Sequence, residues 1–292
     1  MFVILAFAVA MVVFPGETEA GSKVAIMIWA NSILPVMLPF FIFSDLLKKL
    51  GLLNHLPSSI YPMAVAFLSG YPMGAKVVGD LVSGGSLEEK KGRWVLSYSM
   101  ITGPAFLIAT VGQFLGSNKA GLLVAIAHYL GAISNGILWL EKLEPLQKLK
   151  QEGRRTATLN DFSVDQISQS ILAGCRAMAI VLAYLMIAMI GMNLVEATGA
   201  FDLMGCETVQ GTIKGLFEMT AGISMVGTAE PDMRLRVMLA SFLVSFGGLS
   251  VLGQSYSMLG DAGISFKDVF LRKFTHGILA GIFSMILAGV VI

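Results

Sequence analysis

The sequence predicts an all-α polytopic membrane protein with two inverted repeats, each holding a re-entrant hairpin and a discontinuous helix. Three observations carry this expectation: the composition, the spacing of long apolar stretches, and a repeated set of helix-breaking residues. Of 292 residues, 55% are hydrophobic and only 13% are charged, against about 25% charged in a soluble domain. That balance argues against a soluble enzyme, a disordered tail and a nucleic-acid binder. The formal net charge of +1 supplies no global field to steer an anionic partner. The 2 cysteines, Cys175 and Cys206, do not make a disulfide framework.

The N-terminal 14 residues are apolar, and no Lys or Arg precedes Lys23. A secretory signal needs a basic n-region, so the segment reads as a first, short membrane helix. Apolar stretches follow at 24–47, 60–79, 94–115, 120–140, 171–195, 211–228, 235–259 and 269–292. Most are long enough to cross as helices. Two are poor spans. The stretch 60–79 contains Pro62, Gly70, Pro72, Gly74 and Lys76, and 211–228 contains Lys214, Gly215, Glu218, Thr220 and Gly222. Broken backbone at membrane depth needs cover from protein or a wet cavity, so both read as re-entrant hairpins. With the loop after residue 140 in the cytoplasm, this topology puts 13 basic residues inside and 5 outside, as the positive-inside rule expects. In that count Lys273 is a cytoplasmic-side charge.

The two halves resemble each other. Ser97-Tyr-Ser-Met-Ile-Thr-Gly-Pro-Ala-Phe106 aligns without gaps on Ser241-Phe-Leu-Val-Ser-Phe-Gly-Gly-Leu-Ser250, and Gly116 falls on Gly260 in the same register. A hairpin precedes each copy, and a helix with a His near its start follows: His128 and His276. Three crossings per half invert the second copy relative to the first. The domain reading is an N-terminal helix and loop (1–23), a first transporter repeat (24–140), a cytoplasmic linker (141–168) and a second, inverted repeat (169–292). Inverted repeats with interrupted helices mark secondary transporters, whose site lies near the midplane between repeats. The competing explanation is that small residues merely let membrane helices pack closely.

The candidate substrate-binding residues cluster at the breaks. In the first hairpin they are Ser69, Gly70, Tyr71, Gly74 and Lys76. The glycines permit unusual backbone angles, a helix N-terminus offers N–H groups to an anion, and Lys76 adds a charge. A Lys near a helix end can also simply snorkel to the headgroups. In the second hairpin Glu218 and Thr220 are candidates, with Glu218 able to bind a cation, carry a proton or pair with Lys76. At the broken helices the candidates are Thr102, Gly103, Pro104, Gly247, Gly248, Ser250 and Gln254. Each polar group among them can equally bond a neighbouring helix. His128 and His276 are weaker candidates, more often packing residues than titrating ones. With 3 His and no carboxylates at ligand spacing, no metal site or cofactor is expected. No nucleophile–base constellation is visible, so no catalytic residue is expected and an enzyme is the least favoured class.

These motifs resemble the YlbJ family of sporulation integral membrane proteins, within the wider group carrying the nucleoside-recognition Gate domain. The resemblance rests on Leu38-Pro-Phe-Phe-Ile-Phe43, Ser69-Gly-Tyr-Pro-Met-Gly-Ala-Lys76, Gly103-Pro104, Gly215-Leu-Phe-Glu-Met-Thr220, Phe246-Gly-Gly-Leu-Ser-Val-Leu-Gly-Gln254, Arg272 and His276-Gly277. It implies a multi-pass protein of the bacterial cell membrane, in the outer forespore membrane of endospore formers. The substrate it implies is dipicolinate, a small aromatic dianion, on whose ring Tyr71 or Phe106 would stack. Expected partners are that anion, the lipid bilayer and a coupling ion, H+ or Na+, with a homo-oligomer left open and no nucleic acid. The alternatives are a nucleoside or nucleobase transporter, using Glu218, Gln254 and Thr102, and a non-transporting scaffold of sporulation or envelope assembly.

Overall fold

The structure is a computed structural model that describes residues 2–50, 56–140 and 163–291. Most of the expected cytoplasmic linker therefore lies outside the described residues. Every regular element among the described residues is helical. Helix α1 (Phe2–Val13) is short and carries exposed apolar side chains. Residues 15–23, expected as a loop, instead open α2 (Pro15–Ile28), with Pro15 at a first-turn position where its missing N–H costs nothing. A π turn at Trp29–Ile33 joins α2 to α3 (Leu34–Lys49). Pro35 cannot donate to the carbonyl of residue 31, and the widened turn lies at that point.

The first hairpin is α4 (Tyr61–Ser69) and α5 (Met73–Ser83), turned by Gly70, Tyr71 and Pro72. Next comes α6 (Glu89–Ser99), which stops; the chain runs open through 100–103 and returns to helix from Pro104 into a π segment, Phe106–Val111, and α7 (Gly112–Phe114). The uninterrupted α8 (Asn118–Leu138) follows, capped by the Ser117 hydroxyl, which accepts from Ala120 N at 3.3 Å. Past the linker the order recurs. The long α9 (Val164–Glu196) precedes the hairpin α10 (Glu207–Phe217) and α11 (Met219–Ala229), the broken pair α12 (Met233–Phe246) and α13 (Gly248–Met258), and α14 (Phe266–Val291).

Among the described residues, five helical rods are long and apolar enough to cross a bilayer: Pro15–Leu47, Asn118–Leu138, Val164–Glu196, Met233–Met258 and Phe266–Val290. The exposed side chains of α8 confirm what kind of surface this is. Leu122, Ile126, Leu130, Ile133 and Ile137 recur at three- and four-residue spacing and form one apolar stripe facing outward. An outer face this apolar suits lipid tails and not water.

Packing is antiparallel between the α2–α3 rod and α9. Trp29 Nε1 donates to Met178 O at 3.0 Å, and Lys49 Nζ reaches Ser170 Oγ at 3.1 Å. Helices α8 and α14 are stitched by polar groups. Asn135 Nδ2 donates to Ser97 O (2.7 Å) and Arg272 O (2.9 Å), and Thr275 Oγ1 donates to Asn135 Oδ1 (2.7 Å).

The two halves interlock through their hairpins. A Cβ on Gly79 of α5 would come within 2.6 Å of the Leu259 carbonyl, at the end of the second broken helix. A Cβ on Gly227 of α11 would come within 2.2 Å of the Phe114 carbonyl, at the end of the first. Each hairpin's second arm thus lies against the other half's broken helix with no room for a side chain. Gly227→Ala is therefore expected to lower stability by about 1–3 kcal/mol, the usual cost of overpacking. Gly289, with no atom within 4 Å of its added Cβ, is the control. Thermal unfolding of the two purified variants in detergent reads the difference, and equal midpoints would contradict this packing.

Candidate functional site

Interrupted helices leave backbone N–H and C=O groups without their usual intrahelical partners. Water can satisfy such groups at a surface, but hydrocarbon cannot. At both breaks, side chains from neighbouring helices or from the first hairpin tip take over some of these groups.

At the first break, Thr102 N donates to His128 Nε2 at 3.2 Å, and the Thr102 carbonyl accepts from Tyr129 OH at 3.0 Å. The Met100 carbonyl accepts from Lys273 Nζ at 2.9 Å. At the second break, Gly247 (φ +89°) and Gly248 (φ +69°) take left-handed angles open to glycine at little cost, which redirects the chain between α12 and α13. There the Val244 carbonyl accepts from Tyr71 OH at 3.2 Å. The hairpin tips close on these breaks. Gly70 of the first hairpin sits against Thr102 and Gly103, and Phe217 of the second sits against Gly248.

One polar chain ties the breaks together. Because His128 Nε2 accepts from Thr102, its Nδ1 carries the proton and donates to Ser245 Oγ at 2.7 Å. His276 Nε2 donates to the His128 carbonyl at 2.9 Å, across 148 residues of sequence. Its Nδ1 faces Lys273 Nζ at 3.4 Å. Lys273 also donates to the Tyr71 hydroxyl through a short contact. Lys273, His276 and His128 are all buried, each 1% exposed or less.

Beside this chain lies a cavity lined by Tyr71, Thr102, Phe106, Glu218, Thr220, Ser250 and Gln254, with Ile33, Met37, Val181, Leu185, Met219 and Val251 supplying the apolar walls. Glu218 joins α10 to α11. Its Oε2 accepts from Ala221 N at 2.8 Å and so caps α11. Gln254 Nε2 donates to Ser250 Oγ at 3.2 Å. The Thr102 hydroxyl is fully buried and has no hydrogen-bond partner among the described residues. The free volume is about 30 Å³, room for about two or three waters at roughly 10–15 Å³ each. Ordinary metabolite pockets run to about 300–1,000 Å³. The site is closed.

Of the residues singled out from sequence, Tyr71, Thr102, Glu218, Thr220, Ser250 and Gln254 share this cavity. Ser69, Gly103 and Pro104 line a smaller adjoining pocket with Phe106. Gly70, Gly247 and Gly248 shape the tip and the break behind the wall, and Gly74 packs on the Ser99 carbonyl. Lys76 stands apart. It points outward on α5, is 41% exposed, and pairs with Asp80 one turn on at 3.2 Å, so it makes no pair with Glu218. Lys273 is instead a buried cation, as is Arg272 beside it; sequence reasoning placed Lys273 with the cytoplasmic-side charges. The available signal was its three-residue spacing from His276 on an apolar helix, which puts both on one face.

Removing the imidazole that serves both breaks has a defined cost. His128→Leu leaves the Thr102 N–H and the Ser245 hydroxyl unpaired, at about 1–3 kcal/mol per buried group. A drop in the unfolding midpoint of the detergent-solubilised variant, partly recovered in His128→Gln, is expected. An unchanged midpoint would show that the breaks do not depend on His128.

The chain is 22% identical over 321 aligned residues to "Sporulation integral membrane protein YlbJ" of Bacillus subtilis (strain 168), an alignment covering 94% of this chain and 78% of that protein. No family model and no solved structure matches. The similarity along nearly the whole length agrees with the resemblance read from the motifs. With the apolar rods, it supports a multi-pass membrane protein with a place in sporulation.

Proposed function

On the premise that the chain is a YlbJ-family sporulation integral membrane protein, we propose that it is a membrane transporter of a small anionic metabolite. Dipicolinate crossing the outer forespore membrane is the favoured substrate and setting. One observation carries this reading: two hairpin tips and two helix breaks converge on one buried cavity that carries several polar side chains. Interrupted helices that meet around a central site are the common plan of secondary transporters.

The repeated element order and the crosswise packing of Gly79 and Gly227 support two inverted repeats with a Gate-like core. Both hairpins then dip into the membrane and return to the same side. The closed cavity fits an alternating-access cycle, in which hairpins or broken helices move to admit solute. Glu218, buried on the cavity wall without a Lys or Arg at ion-pair distance among the described residues, suits a coupling proton or Na+. Phe106 and Tyr71 offer rings to an aromatic solute.

A nucleoside or nucleobase carrier is the second reading, favoured by the amide of Gln254 and the hydroxyl of Thr102 on the same cavity. A filled apolar interior would have suited a scaffold better.

Uptake of labelled dipicolinate into proteoliposomes tests the proposal. Saturable uptake under a proton or sodium gradient is expected, unaffected by excess nucleoside. Glu218→Gln is expected to reduce gradient-driven uptake on the order of tenfold or more, as for loss of a buried ionisable group at a transport site. Lys76→Gln is expected to keep the parent rate. No uptake under any gradient, or uptake abolished by nucleoside, would overturn the dipicolinate reading.

A further inference from the structure

Lys273 is buried in the protein interior, yet its partners are neutral. They are the Tyr71 hydroxyl, the Met100 carbonyl and the His276 ring. Among the described residues no carboxylate lies within ion-pair distance of it. Other cations of the chain do have one: Lys23 with Glu19, Lys49 with Asp45, Lys214 with Glu196 and Arg272 with Asp268. An ammonium held away from water without a counter-charge is costly, and in a membrane protein it marks a working group.

Its position relative to the cavity gives the second observation. Tyr71 lines the cavity and is also the residue whose hydroxyl touches Lys273. The ammonium therefore lies one hydroxyl behind the cavity wall. The Thr102 hydroxyl, buried and unpartnered among the described residues, lies on the same wall.

We propose that Lys273 is the charge that receives a carboxylate of the anionic substrate, and that the Tyr71 hydroxyl holds this place in the closed state. This rests on the anion-transport reading above and names the residue that would make it work. When the cavity opens, Tyr71 swings from Lys273, a substrate carboxylate takes its place, and the Thr102 hydroxyl donates a second hydrogen bond. An ammonium–carboxylate pair, ionised on both sides, is stronger than the ammonium–hydroxyl hydrogen bond it replaces. Glu218 lines the same cavity, so the anion is accommodated with a proton or a bound cation on Glu218. Lys273 then balances one of the two carboxylates of a dicarboxylate, and Glu218, neutralised by its proton or cation, adds no repelling charge. The exchange also explains why a tyrosine stands at the tip of the first hairpin: its hydroxyl accepts from Lys273 and donates to the Val244 carbonyl at 3.2 Å, latching the hairpin to the second break.

The test is equilibrium binding of labelled dipicolinate to the purified full chain, with its uncharged diamide as a second probe. Lys273→Gln is expected to weaken dipicolinate binding on the order of tenfold or more, as for a truncated buried charge, while diamide binding stays at the parent level. Lys273→Arg is expected to retain much of the dipicolinate affinity. Tyr71→Phe removes the competing hydroxyl and is expected to bind dipicolinate at least as tightly as the parent. Parent-like dipicolinate binding in Lys273→Gln would overturn the assignment and leave the transport reading standing. Should Lys273→Gln fail to insert, Tyr71→Phe decides, and a tenfold or greater loss there would overturn the assignment. A parent that binds neither dipicolinate nor other small dicarboxylates would sink the anion reading, and this assignment with it.

Discussion

The interior of this protein is organised by the demand that backbone groups freed at helix breaks find partners where hydrocarbon offers none. Thr102 N–H is met by His128, the Thr102 carbonyl by Tyr129, the Met100 carbonyl by Lys273 and the Val244 carbonyl by Tyr71. These partners come from the first hairpin, α8 and α14. Moving any one of those elements therefore exposes a backbone group that must be satisfied anew. Such coupling is what a site with two discrete arrangements needs, because packed polar networks switch between states and do not deform smoothly.

Much of this was legible in residue types. Low charge and long apolar runs indicated the membrane, and the paired Gly and Pro residues located both breaks. The first break precedes Pro104 and does not straddle it. A proline disfavours helix in the residue before it but can itself begin a helix, so the open stretch is 100–103 and the helix resumes at Pro104. Six of the polar candidates proved to share a cavity, because polar residues next to helix breaks are those with a reason to face inward.

Lys76 and Lys273 show where residue types fall short. Lys76 lies one turn past the hairpin tip, and sequence does not say which side of α5 faces the core; the side chain turns outward to Asp80. For Lys273 the difficulty was the start of the helix. The apolar run begins at residue 269, which makes Lys273 an end-of-helix charge, whereas α14 begins at Phe266. Seven residues of helix put Lys273 about 10 Å along the axis at 1.5 Å per residue. There its environment is set by Tyr71 and Met100, residues distant in sequence. Long-range partners such as these, and the closing of the cavity to about 30 Å³, are products of tertiary packing that no local pattern encodes.

If the chain carries solute, the cavity between the hairpin tips and helix breaks has to open to it. The rate at which a water-soluble thiol reagent labels Thr102→Cys tests this opening most directly, in a chain whose exposed Cys175 and Cys206 have been replaced by Ser. Slow labelling of membrane-embedded protein, slowed further by saturating dipicolinate, is the expected result. Labelling that is undetectable over hours, or a rate that no small anion or nucleoside changes, would contradict a solute-accessible site at this position.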